Sequence, residues 1–437
     1  MSDERKLRAV PSGRLERLFG IGAMAGSIGA SVALNGARNL LSGKPPSLSD
    51  LLLAPANALR VADQLSHMRG AAMKVGQLLS MDAGQILPEH WSAILARLQA
   101  DASAMPGFQL ERQLSVLWGA RWRDEFEHFS MTPVAAASIG QVHRARTRDG
   151  RDLAIKVQYP GVAASIDSDI DNIMAMLRLS RVVPPGIKLD ALAAEARRQL
   201  HQEADYIHEA EEMTRYGMLV ADDPTVLVPQ VEASLTGSSV LAMSFIESEP
   251  IEHLIGWPQA ERDRVAERLI RLTLQEVFRF GMIQTDPNFA NFRYQPGSGR
   301  IVLLDFGANR TLPPALKAQL QRLLLAALSR DQSAQREAML DIGYFTPQQH
   351  RLATLANDLL AMGMDEVMAG GLFDFAAADL PRRARDRGLA AGFGADLWSI
   401  PPVDTLFVHR KIGGMYLLAS RLGARIDMRA LLEEFAD

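Results

Sequence analysis

Apolar residues recur at spacings of three and four through residues 48–98, the period of an amphipathic helix, with Pro88 starting a new one. Pro106 opens a further helix through Leu117. The period then shortens. Residues 126–129 read as a strand, and residues 133–145 as strand segments around a small-residue turn. Asp149-Gly150 is a hairpin signal, which makes residues 153–157 the return strand. Two helices are predicted next, over 162–181 and, after Pro184-Pro185-Gly186, over 189–216. Short strands follow at 226–229, 240–245 and 301–304, and the chain beyond Glu249-Pro250 is otherwise mainly helical. Helices first, then strands, then mostly helices predict a two-lobed α+β protein without internal repeats.

Composition narrows the setting. The 437 residues can bury a large core and form more than one lobe, and 48% hydrophobic with 22% charged residues is ordinary for a globular chain. A net charge of −4 leaves no electrostatic footprint for nucleic acid, so no nucleic-acid partner is expected. With no cysteine, disulfides, Fe–S clusters and thiolate metal sites are excluded, and a reducing compartment is expected. The nine histidines are scattered; His201 and His208, the closest pair, read as helix-surface residues.

Residues 18–37 carry no charge and are flanked by Arg14, Arg17 and Arg38. At about 20 residues the stretch has spanning length, and its Gly22-x-x-x-Gly26 step suits close helix pairing in lipid. Its five glycines, two serines and one asparagine dilute the hydrophobicity. A membrane-surface or inserted helix, a true span and an arm packed on the domain all remain open; Gly43-Lys44-Pro45-Pro46 ends the segment.

The chemistry concentrates in the second half. Asp305-Phe306-Gly307 closes the strand 301–304, and Asp286 and Asn291 stand five apart just upstream, separated from it by Pro296-Gly297-Ser298-Gly299. Two carboxylates and an amide so arranged match the way a kinase-like fold holds Mg²⁺ and orients an acceptor. Lys156 lies on an apolar strand, suited to nucleotide phosphates if a carboxylate fixes its ammonium group; Glu203, Asp205 and Glu209 are the candidates, with Asp205 and Glu209 on one helical face. Ala135-Ala136-Ala137-Ser138 stands where a glycine-rich phosphate loop would be, and only Gly140 is conformationally permissive there. Lys74-Val75-Gly76-Gln77 interrupts a helical pattern and by itself reads as a surface lysine beside a helix–helix contact.

Taken together, these segments resemble the ABC1/UbiB/AarF family of atypical kinases, the group that includes the coenzyme Q kinases. The resemblance rests on Lys74-Val75-Gly76-Gln77, Ala135-Ala136-Ala137-Ser138, the run from Ala154 to Gly161 around Lys156, Glu203-Ala204-Asp205-Tyr206 with Glu209, Gln284-Thr285-Asp286-Pro287-Asn288 with Asn291, and Asp305-Phe306-Gly307. The run Arg410-Lys411-Ile412-Gly413-Gly414 has the same look. The family implies a two-lobed protein-kinase-like α+β fold: an arm at 1–44, a helical extension with the K-x-G-Q motif at 45–118, an N-lobe at 119–246 and a mainly helical C-lobe at 247–437. It also implies ATP and Mg²⁺ as cofactors. Lys156 would contact the phosphates and pair with Glu209, Lys74 would meet Glu203 and Asp205, and the alanine loop Ala135, Ala136, Ala137 and Ser138 would cover the nucleotide. Asp286 would be the catalytic base, and Asn291 and Asp305 the Mg²⁺ ligands.

The strand at Met243 and Phe245 would offer backbone groups to the adenine, although Ser244 and Ser248 depart from the acidic residue and glycine expected there. The C-terminal spanning helices of the bacterial ubiquinone-biosynthesis branch are missing from the sequence. Few residues separate Gly307 from Leu312-Pro313-Pro314, and there is no A-P-E, which disfavours a peptide acceptor. The implied activity is therefore an ATPase or a small-molecule or lipid kinase in isoprenoid-quinone or other membrane-lipid metabolism, with a nucleotide-binding pseudokinase scaffold as the alternative. Expected surroundings are cytoplasmic, peripheral at an inner membrane, with homodimer contact through the arm.

Overall fold

Gly150, at φ +89, turns the chain back on itself between the strands Gly140–Thr147 and Asp152–Gln158, the central hairpin of the first unit. The computed structural model describes residues 69–82, 105–180, 189–391 and 403–436. The arm at 1–44, with its membrane and dimer readings, lies outside the described residues, as does much of the expected helical extension. Among the described residues no helix is long and apolar enough to cross a membrane. The chain divides into one unit of residues 1–211 and 230–245 and another of 212–229 and 246–437.

In the first unit, α1 (Arg69–Asp82) and α2 (Gly107–Trp118) precede the strands β1 (Phe126–Phe129), β2 (Ala135–Ala136), β3 (Gly140–Thr147) and β4 (Asp152–Gln158). Two long helices follow, α3 (Val162–Ser180) and α4 (Leu189–Glu203), and then α5 (Tyr206–Leu219), whose second half belongs to the other unit. The chain passes through β5 (Val226–Leu227) in the second unit and returns with β6 (Val240–Ser244). The sheet runs β1-β3-β4-β6, all neighbours antiparallel, with β2 added beside β3. Leu153, Ile155 and Val157 alternate inward from β4 and pack with Leu110, Leu114, Trp122, Phe126, Val240 and Ala242. Burying each such side chain contributes about 1.5–3 kcal/mol. Lys156, out of phase with that row, lies on the other face of the strand. α1 packs against α3 and α4.

The predicted helix over 189–216 is two helices. Asp205 breaks it: its Oδ1 accepts the His208 N–H at 3.0 Å, capping α5. Periodicity continues through the break, which is why the pattern alone hides it. Asp205 and Glu209 therefore do not share a helical face, since Asp205 precedes the helix.

In the second unit, β7 (Glu249–Pro250) leads to α6 (Gln259–Leu274), which continues into a π-helical turn, Gln275–Phe280. Then come β8 (Met282–Gln284), β9 (Phe292–Gln295), β10 (Arg300–Leu303) and β11 (Asn309–Thr311). The turn at Pro296–Gly299 closes an antiparallel β9–β10 hairpin, and strand β9 is not predicted by the hydrophobic pattern. The sheet order is β5-β10-β9-β7, with β5 parallel to β10, while β8 pairs with β11 separately. Helices α7 (Pro314–Leu328), α8 (Gln332–Ile342), α9 (His350–Met368), α10 (Leu380–Ala390) and α11 (Val403–Arg421) make up most of the rest. Val277, Ile283, Leu312, Leu316, Leu320, Phe407 and Val408 form a core around the start of α7.

Candidate active site

Lys156 Nζ lies 2.8 Å from both Oε1 and Oε2 of Glu209, and 4.9 Å above the Tyr206 ring. The cap at Asp205 sets the phase of α5, which turns Glu209 toward the lysine strand. Glu209 is 1% exposed and Lys156 14%, so the glutamate is fully withdrawn from water and the lysine side chain largely so. A two-point, charge-assisted contact of this kind fixes a lysine tip that would otherwise sample many rotamers.

A second pair lies in the same unit. Lys74 of α1 is ion-paired with Glu203 at the end of α4, with side-chain exposures of 3% and 12%. The reading of Lys74 as a surface lysine is thus overturned: α1 buries it against α3 and α4. Ser138, in the loop after the alanines, donates its hydroxyl to the other Glu203 oxygen at 2.6 Å. Burial works against ionisation of Glu203, but Lys74, Ser138 and Lys156 together hold its carboxyl below the ordinary value. Asp205, by contrast, is exposed at the start of α5.

Ala135 and Ala136 pair with Val142 and Gln141, and the Ala137 N–H donates to Gly140 O at 2.9 Å. The alanine segment is therefore a short strand beside β3, exposed at Ala135 and Ala136 and half-buried at Ala137, where a tight turn begins. Gly140 serves close approach rather than permissive φ. A Cβ there would come within 2.4 Å of Val157 O and 3.0 Å of Tyr206 Oη. Met243 is buried in β6. Phe245 lies under the Arg144 guanidinium at 4.3 Å, and its N–H donates to Asp152 O. The Ser244 N–H donates to Gln230 O, so neither of these donors remains for an adenine edge.

In the second unit, strand pairing brings the remaining residues into neighbouring loops. β8 pairs with β11 and β9 with β10, so the β8–β9 loop with Asp286 and Asn291 runs beside the β10–β11 loop with Asp305. Thr285 seals the two: its N–H and hydroxyl both donate to Ala308 O, at 3.2 and 2.6 Å. Leu304 N–H donates to Asn291 O at 3.1 Å. Asn291 Nδ2 faces Asp286, 3.3 Å from its carbonyl and 3.4 Å from Oδ2, which leaves the Asn291 amide oxygen as a potential ligand. Gly307 N–H donates to Asp305 Oδ1 at 3.1 Å. Among the described residues no cluster of three or more His, Cys, Asp or Glu could hold a metal alone. An amide oxygen and a carboxylate fit Mg²⁺ in the way it is commonly held, by few protein oxygens with phosphate and water completing the octahedron.

Residues of α11 contribute what the spacing of motifs does not reveal. Arg410 Nη2 is 3.5 Å from Asp286 Oδ1. Lys411, 1% exposed, pairs with Glu276, which is 0% exposed on the π-helical turn, at 2.9 Å. Tyr216 donates its hydroxyl to Glu276 Oε1 at 2.6 Å, and its ring lies 5.2 Å from that of Phe306. Burial pushes the Glu276 carboxyl up despite Lys411 and Tyr216, and burial beside Glu276 pushes the Tyr216 hydroxyl well up. No signal for this trio stands out in the sequence: Glu276 lies in a mixed stretch from Leu272 to Phe280 that also holds Thr273, Gln275 and Arg279.

The elements define a kinase-like α+β protein of the two-lobed class. A Mycobacterium tuberculosis protein, Rv3197, solved as a complex with erythromycin, is similar over 87% of this chain and 97% of its own, with a TM-score of 0.62 and 26% identity. The profile of the ABC1 atypical kinase-like domain matches residues 97–339, and the chain belongs to that family. It is 35% identical to the mitochondrial atypical kinase COQ8 of Saccharomyces cerevisiae over 99% of this chain and 86% of that one. The mitochondrial atypical kinase COQ8B of Rattus norvegicus is 33% identical, over 99% and 82%.

Proposed function

We propose that the protein is an ATP- and Mg²⁺-dependent phosphotransferase or ATPase whose acceptor is a small molecule or lipid, serving isoprenoid-quinone or other membrane-lipid metabolism. The observation that carries this reading is the bond of Lys156 to both oxygens of a buried Glu209, in a chain that also retains Asp286, Asn291 and Asp305. A protein that merely scaffolds has no use for a lysine tip held so closely. Lys156 contacts the nucleotide phosphates, with Lys74 and Glu203 behind the alanine loop. Asp286 accepts the proton of the attacking hydroxyl or water. Asn291 and Asp305 hold Mg²⁺, which when bound neutralises charge on the phosphate oxygens.

Residues 308–313 alone separate Gly307 from α7, too few for a peptide platform, which favours a small acceptor. The COQ8 and COQ8B relatives are named as atypical kinases, which supports the kinase-type part of this reading. The arm at 1–44, through its uncharged stretch 18–37 and basic flanks, supplies the peripheral membrane contact and a homodimer surface.

Phosphate release from Mg²⁺-ATP by the full chain tests the reading, measured with and without liposomes carrying a lipid extract. Turnover that liposomes increase and Asp286→Asn abolishes is the expected result. Nucleotide binding without turnover in every condition would favour the scaffold instead.

A further inference from the structure

Arg410 is an arginine with too few partners for its burial. Its side chain is 11% exposed, and its Nε is buried with no hydrogen-bond partner among the described residues. The contact with Asp286 is 3.5 Å, well beyond the 2.7–2.9 Å of a formed charge-assisted bond. A guanidinium carries five N–H donors and cannot shed its proton. Burying it so incompletely satisfied costs free energy, and that cost is offset when an anion arrives. Asp286 alone does not serve as that anion, because its Oδ2 also faces the Asn291 amide.

We propose that Arg410 is a catalytic residue that binds the phosphoryl group in transfer, an arginine supplied by α11 within the same chain. The proposal rests on the phosphotransfer reading above. During the step the bond from the γ-phosphorus to the bridging oxygen breaks, and ADP leaves with its electron pair. The bond to the attacking oxygen forms, and the proton of that oxygen passes to Asp286. The equatorial oxygens gather charge next to Asp286, where the guanidinium fork lies, so Arg410 binds the transition state more strongly than the bound nucleotide.

The experiment compares wild type, Arg410→Met and Arg410→Lys in the full chain. Two ligands are used, Mg²⁺-ADP and Mg²⁺-ADP with fluoroaluminate, a mimic of the phosphoryl in flight that requires no turnover. Expected for Arg410→Met is unchanged Mg²⁺-ADP affinity, fluoroaluminate affinity lowered about 100-fold, and phosphate release lowered about 100- to 1,000-fold. Arg410→Lys restores folding and ADP binding but not the analogue, because an ammonium group lacks the fork. Equal losses for ADP and the analogue, or no loss for either, would overturn the proposal. Wild-type protein that binds the analogue tightly but never releases phosphate would instead refute the turnover reading and leave Arg410 as the anion site. An analogue loss that appears only when a lipid acceptor is added would place Arg410 on the acceptor and overturn it as well.

Discussion

Lys411 and Glu276, 135 residues apart in sequence, form an ion pair 2.9 Å long with side-chain exposures of 1% and 0%. Glu276 holds Tyr216, and the Tyr216 ring rests against Phe306, so the buried pair between α11 and the π-helical turn supports the Asp-Phe-Gly segment through Tyr216. A buried pair adds little net stability compared with apolar residues of the same volume, but breaking it strands a charge. Lys411→Met should therefore cost about 3–5 kcal/mol in denaturant unfolding at neutral pH.

The deficit has a sign in pH. Glu276 already has its carboxyl raised by burial, and without Lys411 it rises further. A group whose folded-state value lies above its unfolded one binds protons more readily when folded, so acid favours the fold. The gap between Lys411→Met and wild type should shrink as pH falls, and Lys411→Met with Glu276→Leu should recover most of the loss. A gap independent of pH would mean the loss comes from packing.

The Lys156–Glu209 contact makes a coupling prediction. Lys156→Ala and Glu209→Ala should each weaken nucleotide affinity, and the double variant should weaken it little further, because either single change already removes the two-point bond. Isothermal titration with Mg²⁺-ATP measures the cycle. Additive losses would show that the glutamate does not orient the lysine.

How much of this was legible depends on whether the cause is local. The lysine strand was readable because apolar residues alternate around Lys156, and the Asp-Phe-Gly segment because a strand ends there. The break at Asp205 was not, since helical periodicity runs through it and only the side-chain cap stops it. Lys74 read as a surface residue because its burial comes from α3 and α4, about 90 or more positions away along the chain. The same reason hid the partners of Arg410 and Lys411, because Asp286 and Glu276 lie 124 and 135 residues upstream. Long-range pairing leaves no period in the sequence.

His409 and Tyr344 are stacked at 5.3 Å with a 2.7 Å hydrogen bond between Nε2 and the hydroxyl. Burial lowers His409 to about 4 and raises Tyr344 to about 12. Unfolded His409 takes a proton near 6.5, before the folded form does, so stability is whole above that value and falls as pH drops toward 4. A shift of that size amounts to about 3 kcal/mol across the window. His143, also lowered by burial, adds to the same slope, so the comparison between variants is what matters. His409→Phe should flatten the stability profile between pH 6.5 and 5 relative to wild type, and a parallel profile would show that His409 is not the titrating group.

Gly414 makes the sharpest case for α11 as a support of the Asp286 loop. A Cβ at Gly414 would lie 2.1 Å from Cβ and 2.5 Å from Cγ of Pro287, the residue after Asp286. Neither partner can swing away: one is a helix backbone and the other a ring fixed to its own backbone. Gly414→Ala must therefore move either the helix or the loop, although alanine is the better helix former by about 1 kcal/mol. Where helix propensity dominates, the variant is more stable and otherwise unchanged. Where the contact dominates, as the distances require, melting falls and phosphate release falls further than ADP affinity does. The second pattern is expected, because the displaced loop carries Asp286 while the Lys156–Glu209 pair is untouched. A Gly414→Ala protein with raised stability and full activity would show that α11 can recede without disturbing Asp286.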